Sequence, residues 1–434
     1  MRPVLRLREH RGTTAHVASI YPFSVQSSFG HAGCYIGLDV LAGGAEFCWD
    51  PFEAYAVGAV TNPNAWVLGE PGNGKSALVK SLLWRMSAIY GTGGRGRFFA
   101  IADPKGEYAG FAARLGIPVV RLCPGGATRL NPLEAGAALA GVEAEQAALR
   151  RAEMVTALAA TVLDRPLAQV EDAAVFAIVE DLRHRRCPAT LADVAGVLAA
   201  PTSELCERLR RPPLELADHL ATLGFALDKL VSRSLRGMFD GASTVSIDWN
   251  GPGVVLDLSA IPVDSEALPL VMVAATGWLS QLLSRSGPRR VQVIDEAWAL
   301  LANLATARYL QSCFKLGRTY GVANIAVAHR PSDLGAQADD GTATAKIAAG
   351  LLSDAATRVL LRQAPEQLRA GAEVFGLSDE ERHVVAHLGR GRALWKLAGR
   401  SAVVQHQLSG VESVICDTDA RVMGAPTEAE RWAA

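Results

Sequence analysis

Trp66-Val67-Leu68-Gly69-Glu70-Pro71-Gly72-Asn73-Gly74-Lys75-Ser76 leads out of an apolar strand and into Ala77-Leu78-Val79-Lys80-Ser81-Leu82-Leu83, which is patterned as a helix. The spacing fits GxxxxGK[ST], and the strand before and helix after are the context that separates a phosphate-binding P-loop from an ordinary glycine-rich turn. Glycines let the loop turn its N–H groups inward, and the helix N-terminus adds its positive dipole to the same point. The residues from Gly69 to Ala77, namely Gly69, Glu70, Pro71, Gly72, Asn73, Gly74, Lys75, Ser76 and Ala77, are therefore the candidate nucleotide cradle. Lys75 would reach the β- and γ-phosphates, and the Ser76 hydroxyl would coordinate Mg²⁺. An incidental lysine in a turn is the plainer alternative, and the agreement of motif with context outweighs it.

A second strand pattern, Val291-Gln292-Val293-Ile294, ends in Asp295-Glu296. This is the Walker B arrangement, in which Asp295 holds the Mg²⁺ shell and Glu296 orients or deprotonates the attacking water. Alone, two acids after a short apolar run would be read as a solvated loop. Paired with the P-loop they point to hydrolysis of a nucleoside triphosphate, and the lack of a guanine-reading NKxD pattern favours ATP.

The rest of the chain is compatible with this chemistry. Of 434 residues, 50% are hydrophobic and 20% charged, which excludes wholesale disorder. Lys+Arg (43) nearly balance Asp+Glu (44), so no global basic field advertises nucleic acid. Seven cysteines without a CxxC pair argue for reduced, cytosolic thiols rather than a disulfide framework. The N-terminus carries no apolar stretch of signal-peptide type. The most apolar segment, Leu268 to Leu283, is interrupted by Gly277, Ser280 and Gln281 and reads as a buried core helix, not an integral membrane segment.

Continuous apolar runs at Ala65 to Leu68, Arg97 to Ala102, Pro118 to Leu122, Val254 to Leu258, Val291 to Ile294, Asn324 to Ala328 and Arg358 to Leu361 predict a mostly parallel sheet covered on both faces. Between Glu143 and Arg236 the apolar spacing is helical throughout, beginning with a long amphipathic helix from Glu143 to Leu163 and restarting after Thr190 as N-cap. Short glycine-punctuated runs at Cys34 to Asp39 and Ala45 to Cys48 predict a hairpin that pairs with the sheet edge.

Three further segments follow strands: Asp103-Pro104-Lys105-Gly106-Glu107-Tyr108, Asp295-Glu296-Ala297-Trp298, and Ala328-His329-Arg330-Pro331-Ser332-Asp333, the last preceded by Gly317-Arg318-Thr319-Tyr320-Gly321. With the P-loop, this set resembles the TraC/VirB-type ATPases of conjugative type IV secretion, within the wider HerA/FtsK class of motors. The resemblance covers roughly Ile36 to Leu408. It implies an α/β fold: a RecA-like P-loop NTPase core (61–135 and 245–410) with a mostly parallel central sheet, an all-helical insertion (136–244), an N-terminal β-rich segment (1–60) and a tail (411–434). It also implies a ring, usually a homo-hexamer, that turns over ATP with Mg²⁺ to move DNA or protein. The expected place is the cytoplasm, docked peripherally at the inner face of the membrane through secretion-channel or coupling proteins.

In such rings a neighbouring subunit commonly supplies an arginine finger. By position Arg318 matches the family's arginine, and Arg358 or Arg362 lies near a later one. Asp103 is either a residue bordering the nucleotide or a strand-end aspartate satisfied by its own turn. The chain departs from the family at Ala328-His329, where Thr-Gln is usual; His329 retains a ring nitrogen able to donate to phosphate or water. It also has only some 60 residues before the P-loop, where the family carries a large domain.

Two other functions compete. A HerA/FtsK-like translocase would pump duplex DNA without a secretion channel, using basic clusters such as Arg183, Arg185 and Arg186 or Arg208, Arg210 and Arg211; these are also what solvated helix faces look like. A nucleotide-binding assembly scaffold would need a degenerate site, and Lys75, Ser76, Asp295 and Glu296 are all in place.

Overall fold

A computed structural model describes residues 29–92, 96–134, 142–182, 188–283, 289–301, 304–329, 347, 350–352 and 354–417. Its centre is an 11-stranded sheet in the order β2-β1-β11-β10-β9-β3-β8-β7-β4-β6-β5. The strands are β1 (Cys34–Asp39), β2 (Ala45–Trp49), β3 (Ala65–Leu68), β4 (Arg97–Asp103), β5 (Val119–Arg121), β6 (Gly253–Asp257), β7 (Arg289–Ile294), β8 (Val322–Ala328), β9 (Thr357–Leu360), β10 (Arg392–Leu397) and β11 (Arg400–His406). From β9 across to β5 every pairing is parallel, and from β9 outward to β2 every pairing is antiparallel.

The seven parallel strands are those the apolar runs predict. The reason is visible in β3 and β4, whose alternate residues feed two separate cores. Trp66, Leu68, Phe98 and Ala100 face one core. Ala65, Val67, Phe99 and Ile101 face the other. A strand buried on both faces favours apolar residues at nearly every position, and a polar one such as Asn324 is buried with a partner, donating to Asn64 Oδ1 at 3.0 Å. The hairpin β1–β2 joins the sheet edge as expected, with Gly37 opposite His406 of β11.

The first helices are α1 (Pro51–Ala56), α2 (Lys75–Tyr90) and α3 (Ala109–Leu115). Among the described residues, five α-helices lie between β5 and β6, α4 (Val142–Leu163), α5 (Gln169–Leu182), α6 (Leu191–Ala199), α7 (Ser203–Leu209) and α8 (Pro213–Lys229), the last running on into a π-helical turn at Leu230–Ser234. They form the all-helical insertion. Thr190 caps α6 with a reciprocal box: its hydroxyl accepts from the Asp193 N–H, and the Asp193 carboxylate accepts from the Thr190 N–H at 2.8 Å. The apolar segment predicted as a core helix is α9 (Ala267–Leu283), whose Val271 to Ala275 are fully buried. The chain continues through α10 (Leu304–Gly317), α11 (Pro365–Phe375), α12 (Asp379–Ala386) and α13 (Gly410–Cys416).

Parallel pairing puts the carboxyl ends of β3, β8, β7 and β4 on one edge, with Leu68 level with Ala328 and Ile294 level with Ala326. That edge carries the site. Residues 1–28, Arg183, Arg185 and Arg186, Arg330 to Asp333, and 418–434 lie outside the described residues. Of the second basic cluster, Arg208 pairs with Asp181 at 2.8 Å and Arg211 pairs with Glu215.

Candidate nucleotide site

The P-loop turns where its glycines require it. Gly74, the N-cap of α2, has φ of 101°, a conformation L-residues rarely adopt. At Gly69 the constraint is space: a Cβ there would lie 2.7 Å from the Leu361 Cβ, which packs under the loop from the end of β9. The Arg362 carbonyl accepts from the Glu70 N–H at 3.2 Å, and the Glu70 carboxylate accepts from the Ala364 N–H at 3.1 Å. The loop is thereby stitched to the segment after β9.

Lys75 is buried and points back into the loop. Its ammonium donates to the Gly69 carbonyl, to the Glu70 carbonyl at 3.3 Å and to His329 Nδ1 at 3.0 Å. Burial and the nearby Lys105 charge lower its pKa to about 8. On the far side of the same imidazole, His329 Nε2 lies 2.9 Å from Glu296 Oε1. His329 therefore sits between the P-loop lysine and the Walker B glutamate. One strand, β8, separates β3 from β7, and it is the strand that ends at Ala328.

Asp295 and Glu296 are both buried. Asp295 Oδ1 accepts from the Glu296 N–H at 3.0 Å, whereas Oδ2 is buried with no hydrogen-bond partner. Burial and the neighbouring Glu296 push the Asp295 pKa up to about 7. Burial acts on Glu296 in the same sense, but His329 and Lys105 more than offset it and bring its pKa down to about 2. Glu296 has φ of 53°, in the left-handed region that a non-glycine residue enters at a cost. That turn delivers its carboxylate to Lys105, an ion-pair partner, and to the indole N–H of Trp298.

A buried, orphaned carboxylate oxygen, on an aspartate close enough to the P-loop Lys75 for its charge to act on that ammonium, fits Mg²⁺. This ion is usually held by one or two carboxylates together with phosphate and water, not by an all-protein cage. No cluster of three or more His, Cys, Asp or Glu with metal-binding geometry occurs among the described residues.

The remaining sequence candidates fall in different places. Asp103 spends its carboxylate on its own turn, accepting from the N–H groups of Lys105 at 3.2 Å, Glu107 at 3.1 Å and Tyr108 at 2.9 Å. The turn so formed aims Lys105 at Glu296. Arg358 donates to the Leu352 carbonyl at 3.3 Å and the Phe375 carbonyl at 2.8 Å, closing the end of α11. Arg362 is exposed beside the P-loop. Arg318 is exposed at the opposite edge of the sheet, before β8 begins, with its guanidinium 5.4 Å from the centroid of the Tyr55 ring.

Three further residues complete the site, and no motif gives any of them a role, although Lys105 and Trp298 lie within the segments Asp103 to Tyr108 and Asp295 to Trp298. Lys105 and Trp298 engage Glu296, and the fully buried Gln363 donates from Nε2 to the His329 carbonyl at 2.9 Å. They meet only because the ends of β4, β7, β8 and β9 share one edge.

No protein-family model and no curated protein matches the sequence. Solved structures do. VirB4 of Thermoanaerobacter pseudethanolicus superposes with a TM-score of 0.68 at 19% identity, covering 89% of this chain and 100% of that one. The plasmid coupling protein TrwB, in complex with the ATP analogue ADPNP, gives 0.55 at 14% identity over 94% and 96% of the two chains. TrwB with ADP and Mg²⁺ gives 0.54 at 14% identity over 92% and 93%. The chain thus has the P-loop ATPase fold of VirB4 and TrwB, the fold its own motifs predict.

Proposed function

We propose that the chain is a Mg²⁺-dependent ATPase of the VirB4/TrwB type, working as a ring that energises conjugative DNA transfer or type IV secretion. The observation that carries this reading is the convergence of Lys75, Asp295 and Glu296 on one sheet edge, bridged by His329. TrwB, which shares the fold, is a conjugative coupling protein and has been seen with ADPNP and with ADP and Mg²⁺. No helix among the described residues is long and apolar enough to cross a membrane.

In this reading the inward N–H groups from Gly69 to Ser76 and the dipole of α2 bind the phosphates, and Lys75 leaves the loop carbonyls to meet the β- and γ-oxygens. Ser76 and Asp295 Oδ2 would hold Mg²⁺, which supplies charge neutralisation on the phosphate oxygens when bound. Glu296 orients the attacking water and takes its proton, for which its carboxylate must be ionised. Arg318, too far from its own P-loop, would serve the next subunit's γ-phosphate. Arg362 stands where it can meet phosphate within its own chain.

Phosphate release by the wild type and by Glu296→Gln tests this. Turnover in the wild type and its loss in the variant, with nucleotide binding kept, is expected. Equal, negligible rates in both would leave only a scaffold that binds nucleotide. Lys75→Ala should abolish binding or turnover, and DNA added to the wild type should show whether the cargo stimulates it.

A further inference from the structure

An ammonium group has three hydrogens, and those of Lys75 face three acceptors inside the protein: the carbonyls of Gly69 and Glu70 and Nδ1 of His329. Because an ammonium can only donate, His329 Nδ1 accepts from Lys75, which leaves Nε2 to carry a ring proton; Lys105 Nζ, 3.3 Å from the same Nε2, then turns its hydrogens to Glu296, its ion-pair partner. The Nε2–H donates to Glu296 Oε1 at 2.9 Å. One imidazole is thus bonded to the phosphate-binding lysine and to the water-side glutamate at once.

Glu296 is occupied elsewhere as well. Lys105 shares its Oε1 and the Trp298 indole N–H takes Oε2. Gln363, donating from Nε2 to the His329 carbonyl at 2.9 Å, fixes the backbone from which the ring projects. In this arrangement Lys75 has no hydrogen left for a phosphate, Glu296 Oε1 is taken by His329 and Lys105, and Oε2, already accepting from Trp298, is buried with the rest of the side chain.

We propose that His329 is a latch: it holds Lys75 and Glu296 in mutual check, and a nucleotide that draws Lys75 onto its phosphates breaks the check and hands Glu296 over to water. The inference rests on the ATPase reading of the site and adds its regulation. A free glutamate beside an empty P-loop would have no substrate to act on. Tying its release to the lysine that first meets phosphate makes catalytic competence follow from occupancy. His329 acts through Lys75 and Glu296 and is a positioning residue.

The latch makes a prediction opposite to that of a γ-phosphate sensor. Removing the imidazole takes one acceptor from Lys75 in the resting state, so His329→Ala should bind nucleotide more tightly, by about tenfold if the lost bond is an average charge-assisted one. Fluorescent mant-ADP, titrated in EDTA to keep turnover and metal out of the measurement, reads this directly. His329→Gln, whose amide can accept from Lys75 and donate to Glu296, should bind as the wild type does and guards against a folding defect in the alanine variant. ATPγS should gain affinity for His329→Ala in parallel with ADP. Unchanged or weaker mant-ADP binding by His329→Ala overturns the latch, as does a loss confined to ATPγS, which would place the ring on the γ-phosphate. A wild type that binds neither nucleotide overturns the ATPase reading itself, a result distinct from either of these.

Discussion

The guanidinium of Arg318 lies over the ring of Tyr55 at the amino end of β8, the strand whose carboxyl end leads to His329. Seven residues of strand rise about 20 Å, so Arg318 and its own P-loop stand at opposite edges of the sheet. An exposed arginine so placed reaches a triphosphate only if that triphosphate belongs to another subunit. Arg318→Ala should therefore leave nucleotide affinity at the wild-type level and slow turnover by about 10³-fold, the lower range for a lost arginine finger. Mixing Arg318→Ala with Glu296→Gln subunits should restore part of the rate, because each supplies what the other lacks. Phosphate release from the mixture checks this, and the absence of rescue would remove the support for a ring.

Arg358 and Arg362 separate by the same reasoning. Arg358 is held by the carbonyls of Leu352 and Phe375, and burial lowers its pKa. Removing it strands the last carbonyl of α11, so Arg358→Ala should cost about 2 kcal/mol of stability, seen as a lower urea midpoint. Arg362 offers its carbonyl to the P-loop while its side chain is exposed. Arg362→Ala should leave the urea midpoint within about 0.5 kcal/mol of the wild type and weaken triphosphate binding more than diphosphate binding. Equal effects of the two substitutions on stability would contradict this division.

The parallel half of the sheet was legible because double-sided burial writes itself as unbroken apolar runs. The hairpin of β10 and β11 was not. Arg392–Leu397 and Arg400–His406 hold only three consecutive apolar residues each, Ala393 to Trp395 and Ala402 to Val404, between polar ones, and their two-residue turn is Ala398-Gly399, with φ of 45° and 87°. Asn or Asp is the usual first residue of such a turn, and alanine there hides it. In the site, Lys75, Ser76, Asp295 and Glu296 stood out because each belongs to a contiguous motif. Lys105 and Trp298 lie in segments that stood out, but their contacts with Glu296, like that of Gln363 with His329, join strand ends in a way no local pattern records. Arg358 looked catalytic by position, yet its carbonyl partners at Leu352 and Phe375 become visible only in three dimensions.

Acid should loosen the contact between the P-loop helix and the antiparallel strands. His406 Nε2 lies 2.7 Å from the Ser81 hydroxyl, and burial, with the Arg85 charge beside it, lowers its pKa from 6.5 to about 4. The unfolded chain takes up a proton near 6.5 and the folded chain only near 4, so the fold binds fewer protons in between. The stability linked to His406 is complete above about 6.5 and is lost as the pH falls towards 4, with an upper bound on the order of 3 kcal/mol. Urea midpoints from pH 7 to pH 4 should fall less steeply for His406→Asn than for the wild type. Parallel curves would show that the histidine titrates freely in the folded chain.

The seat of Arg318 depends in turn on Asp50. Asp50 caps α1, the helix that carries Tyr55, by accepting from the N–H groups of Phe52 at 2.9 Å and Glu53 at 3.0 Å. Both of its oxygens also accept from Arg97 Nη2 at 3.2 Å, and the Arg97 guanidinium is layered between the rings of Phe52 and Tyr90, 4.9 and 4.1 Å from their centroids. Arg97 and Asp50 are almost wholly buried. Removing one partner of a buried pair costs about 3–5 kcal/mol, because the charge left behind is out of water, and Arg97 would keep only the longer contact to the half-buried Glu53 at 3.7 Å, whereas replacing both with apolar groups is often close to neutral. Asp50→Ala should thus be strongly destabilised, and Asp50→Ala with Arg97→Met should recover much of the loss, less about 1 kcal/mol for the missing cap. A double-mutant cycle in urea measures the coupling. If the double variant is as unstable as the sum of the two single ones, the pair contributes nothing and the cap alone positions the helix beneath Arg318.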